Sequence, residues 1–151
     1  MLAAAQVRAA VQALLVGATD AGARVMVGRS WPIGDDQLPA IKLAITGEEV
    51  TVDGVHFPPV REHDMTLEAR AFVRDVDNLD TAMDGLAEQV LQALFADADA
   101  ASLEPLPHCV MELAGIDRVV RDPEGEASTG AVAVRLRITF QTLSDNPSQL
   151  V

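Results

Sequence analysis

The sequence predicts an α+β fold, a two-layer sandwich in which a mostly antiparallel sheet carries two helices packed on one face. Two stretches, Met65 to Asp75 and Ala131 to Leu143, alternate apolar and polar side chains with the period of two that marks a half-buried strand. Two others, residues 2–16 and 79–94, repeat apolar residues at helical spacing. The strands come in runs separated by these helices and joined by short turns, the order expected of α+β rather than of alternating parallel units.

In chain order, residues 2–16 place Val7, Val11, Leu14 and Leu15 on one helical face, with Gln6, Arg8 and Gln12 elsewhere, and Gly17 is a natural stop. Arg24 to Gly28 is a short strand. Arg29 to Asp36 reads as a loop because Pro32 and Gly34 interrupt it. Leu38 to Ile45 resumes extended structure with Ile41, Leu43 and Ile45 on one side, and Pro39 belongs at its start, where no ladder donor is needed. From Thr46 to Asp64 glycine, proline and charge crowd the chain, so residues 46–64 are expected to form a long loop or protruding hairpin.

Met65, Leu67, Ala69, Ala71 and Val73 then form the inward row of a further strand. Asp77 or Asn78 caps the second helix, whose buried stripe is Leu79, Met83, Leu86, Val90 and Leu94. Gly85 within it costs about 1 kcal/mol relative to Ala and points to close contact with a neighbouring backbone. The helix fades through residues 96–102. Residues 108–120 form a strand with Cys109, Met111 and Leu113 inward and a bulge at Gly115. A turn-rich connector leads to the last strand, where Val132, Val134, Leu136, Ile138 and Phe140 face inward, and the two strands should form an antiparallel hairpin. Residues 1–143 then make one domain, and 144–151 a polar C-terminal tail expected to fray.

Net charge is −12: residues 1–75 carry seven Lys or Arg against ten Asp or Glu, and 76–151 carry four against thirteen. Such a surface repels phosphate backbones, so direct nucleic-acid binding by the free subunit is not expected. No stretch reaches the ~20 apolar residues needed to span a bilayer, so no membrane partner is expected, and the N-terminus lacks the positive region of a signal peptide. The single cysteine, Cys109, excludes an intrachain disulfide and suits a reducing cytoplasm.

No chemistry-bearing constellation is visible. His56, His63 and His108 share no metal-ligand spacing, so no metal is expected. Cys109 sits in an apolar row, where a thiol is normally inert packing. Asp35-Asp36 and Glu48-Glu49 read as solvated turn charges, and Gly125 to Gly130 lacks the following helix of a phosphate loop. Trp31 either anchors a partner or caps the core beneath its loop.

The Ala-rich first helix, Gly17 to Gly28 with its Ala-Arg-Val-Met-Val-Gly-Arg strand, Trp31-Pro32, Leu38-Pro39-Ala40-Ile41, Leu67-Glu68-Ala69, the Leu79-Asp80 to Leu94 helix and the closing Val134 to Phe140 strand together carry a family likeness. In order and size these elements resemble the lambda-type tail terminator proteins of long-tailed bacteriophages and prophages, across nearly the whole chain. The resemblance implies a virion structural protein and not an enzyme, without cofactors, acting in the host cytoplasm during assembly and then in the virion tail. It would form a hexameric ring on the last ring of the tail tube, stop tube growth and offer a surface for head-tail joining. Its partners would be other copies of itself, the tail-tube protein and a head-completion or connector protein. By analogy Arg70, Arg135 and Arg137 would contact the next subunit, and Trp31, Glu48, Glu49, Phe57 and Arg61 the tube or connector. The alternatives are another neck or tail-tube component and, less favoured, a small ligand-binding domain or enzyme.

Overall fold

The strongest alternating rows pair with each other over their full length. β3 (Val60–Asp75) and β6 (Ser128–Leu143) run antiparallel from Val60 beside Leu143 to Asp75 beside Ser128. The described residues of the computed structural model, 1–28, 37–55, 57–75, 77–96, 98, 100–121 and 128–151, add α1 (Ala3–Leu15), β1 (Val25–Val27), β2 (Ala40–Asp53), α2 (Leu79–Phe95), β4 (Ala100–Ser102), β5 (Val110–Arg121) and β7 (Asn146–Leu150). They make an α+β fold of two helices and one seven-stranded sheet ordered β1-β2-β3-β6-β5-β4, with β7 beside the end of β6. Neighbouring strands are antiparallel except β1, which runs parallel to β2 from Val25 beside Ile41.

The core follows from the two periodicities. Met65, Leu67, Ala69, Ala71 and Val73 of β3 and Val132, Val134, Leu136, Ile138 and Phe140 of β6 are buried, whereas Arg135 and Arg137 between them are exposed. The α1 stripe Ala3, Val7, Val11 and Leu15 and the α2 stripe Met83, Leu86, Val90 and Leu94 join the same core cluster. Helix α1 stops where Gly17, at φ +75°, turns the chain and donates its N–H to the Gly22 carbonyl at 2.9 Å. Helix α2 starts at Asn78, whose side chain accepts from the Thr81 N–H at 3.3 Å. The Asp75 carboxylate accepts from the N–H groups of Asn78 and Asp77, and those two bonds hold its pKa below the ordinary value.

Several expectations are corrected. Of the two forms expected for residues 46–64, the long loop is not found and the hairpin is: the segment continues β2 and β3, which pair antiparallel out to Asp53 beside Val60. The 144–151 tail is not frayed. It holds β7, where the Val151 N–H bonds the Gln141 carbonyl at 3.1 Å, the Gln6 side-chain amide bonds the Ser148 carbonyl at 2.7 Å and Leu150 packs against the core. Within 96–102 the chain forms the three-residue β4.

Gly85 meets no close neighbour, since a Cβ there would find nothing within 4 Å. The tight helix–sheet approach falls at Gly130, where a Cβ would lie 2.6 Å from Met83 Sδ. The bulge near Gly115 is present as a register shift between Leu113 and Gly115. Leu113, expected inward, is 43% exposed because α2 packs over β3 and β6 and leaves β5 overhanging.

Candidate interaction surfaces

The sheet row opposite the core is polar, and its arginines are already engaged. Arg137 grips Asp64 through Nε, 3.0 and 2.9 Å from the two carboxylate oxygens, and through a guanidinium nitrogen. That hydrogen bonding, with the charge attraction behind it, lowers the Asp64 pKa and raises that of Arg137. Arg70 lies 2.8 Å from Glu68, and Arg135 Nε lies 3.1 Å from Asp117. The three arginines share one face of the sheet, as their parity demands, but each spends its charge on a carboxylate of its own chain. All are about half exposed, so these pairs are cheap to exchange for others.

The hairpin residues divide. Phe57 is 98% exposed and Val55 91%, at the turn between β2 and β3. Glu49 is exposed, and Arg61 is half-buried opposite Val52. Glu48 is not the solvated turn charge its neighbours implied: its carboxylate lies 2.7 Å from Nδ1 of His63. Trp31 and His56 lie outside the described residues.

His63 extends the inward row of β3 by one step beyond Met65, and Thr142 extends that of β6 beyond Phe140, so parity brings both to the core side. The imidazole stacks on Phe140 with centroids 4.6 Å apart and an interplanar angle of 10°, and its Nε2 lies 2.9 Å from Thr142 Oγ1. Carboxylate, imidazole and hydroxyl therefore stand in the order and spacing of a nucleophilic relay. Here the hydroxyl is wholly buried and His63 is 8% exposed, so no substrate atom can reach Thr142 in this arrangement. With Nδ1–H donated to Glu48 and Nε2 accepting from the Thr142 hydroxyl, every polar atom of the trio is satisfied, and the trio ties β2, β3 and β6 together. The sequence contained the signal for this group in the strand parity, but its members lie 15 and 79 positions apart and only pairing joins them.

His108, exposed and at φ 48°, opens instead into a shallow recess of about 230 Å³ with Glu62, Thr139 and Gln141. The two histidines thus do not converge on one cavity. Among the described residues no group of three or more His, Cys, Asp or Glu is placed to hold a metal ion. No helix is long and apolar enough to cross a membrane, again among the described residues. Cys109 is buried, and burial pushes its thiol up to about 11.

The sheet edges are also open among the described residues. β1 covers β2 only from Ile41 to Leu43, and β4 covers β5 only from Val110 to Glu112. Beyond those points no described strand pairs with the outer side of residues 44–53 or 113–121, runs of about 30 Å each at ~3.3 Å per residue. Near the start of each bare run lies a bulge, at Ile45/Gly47 in β2 and at Leu113/Gly115 in β5. Such a bulge bends and twists its strand locally. The two edges differ in charge. Residues 44–53 hold Glu48, Glu49 and Asp53 and no base, while the described side chains of 113–119 include Asp117 and Arg118, of opposite sign.

Between α2 and β5 lies an open groove of about 630 Å³, lined by Leu91, Phe95, Leu113 and Ile116 and rimmed by Asp84, Glu88 and Arg118. Arg118 bridges it to Asp84 at 2.7 Å. The sequence offered no sign of this groove, because it exists only where the helix layer ends short of the sheet. No family model matches this chain, and no curated protein matches it at a significant level.

Proposed function

We propose that the chain is a structural ring subunit of a long-tailed phage or prophage, a tail terminator that caps the tail tube, stops its growth and presents a surface for head-tail joining. The observation that carries the self-assembling part of this reading is the pair of long edges at opposite ends of one sheet that no described strand covers, one acidic and the other holding Asp117 and Arg118. Two different complementary edges on one subunit are what head-to-tail closure into a ring requires. The phage assignment itself rests on the element order and size of the tail-terminator resemblance.

In this reading both helices form one layer on the core side of the sheet, as the shared core cluster supports, and the polar face with Arg70, Arg135 and Arg137 stays open for contact. The hairpin with Glu49, Phe57 and Arg61 reaches past the helices, and Trp31 joins the partner surface. The subunit works without catalysis or cofactor, binds no nucleic acid directly, assembles in the host cytoplasm and remains in the virion tail. Its partners are further copies of itself, six to a ring, the tail-tube protein and a head-completion or connector protein.

The test is to add the purified protein to growing tail tubes and image them by electron microscopy. A terminator sits only at tube ends and fixes their length. Density along the whole tube would make it a tube component instead, and failure to associate at all would remove the reading.

A further inference from the structure

We draw no further inference here: the strongest candidate, the open apolar groove between α2 and β5, already has Arg118 paired with Asp84 at its rim, and nothing in the structure shows what covers it.

Discussion

His63 shows how much depends on single side chains here. Its two ring nitrogens are both used, and its ring lies flat on Phe140. Thr142→Val removes the Nε2 partner while keeping the shape, leaving a buried acceptor unsatisfied. It should cost about 1–3 kcal/mol in chemical denaturation. A cost near zero would mean the hydroxyl adds nothing to the clamp. Cys109 gives a second prediction. With its thiol pushed up to about 11 by burial, the folded state holds the proton more tightly than the unfolded chain. Its contribution to stability is therefore fully present below the ordinary thiol range and is lost as pH rises from there through about 11. At pH 8 a thiol reagent should modify native protein roughly 100-fold more slowly than denatured protein, the ratio expected from the thiolate fractions alone.

At the scale of elements, three glycines separate by what stands beside them. Gly85 lies inside α2 with no atom within 4 Å of a would-be Cβ, so Gly85→Ala should raise stability by about 0.5–1 kcal/mol through helix propensity and a stiffer unfolded chain. Gly130 is crowded by Met83 Sδ at 2.6 Å and Leu79 Cδ2 at 3.3 Å, both from α2. Gly130→Ala should cost about 1–3 kcal/mol because Met83 is wholly buried and has nowhere to go. At Gly115 the near atom is the end of the flexible Arg135 side chain, 2.6 Å away, and moving it sacrifices only the exposed pair with Asp117. That substitution should stay within about 0.5 kcal/mol. Thermal melts of the three variants check the order, and a stabilised Gly130→Ala would show that α2 can lift from β6 at little cost.

For the whole molecule, net charge and open edges pull against each other. A formal charge of −12 on each copy opposes association, while the bare edges and the apolar groove favour it. Self-association should therefore strengthen as salt rises from about 0.01 M to 0.15 M, because the screening length falls from about 30 to about 8 Å. Sedimentation at fixed protein concentration measures this. Association that weakens with salt would mean that attraction between opposite charges on facing copies outweighs the overall repulsion.

The sequence by itself determined the two helices, the inward rows of β3 and β6, the bulge at Gly115 and the inert setting of Cys109, because each is written in local spacing that burial then obeys. It left the 46–64 segment open between a loop and a hairpin, and it misplaced the C-terminal tail, whose polar composition hides its pairing with the end of β6. The Glu48–His63–Thr142 clamp, the self-paired arginines and the α2–β5 groove were decided only by tertiary structure. They depend on register between distant strands and on how far a helix layer extends across a sheet, neither of which a linear pattern carries.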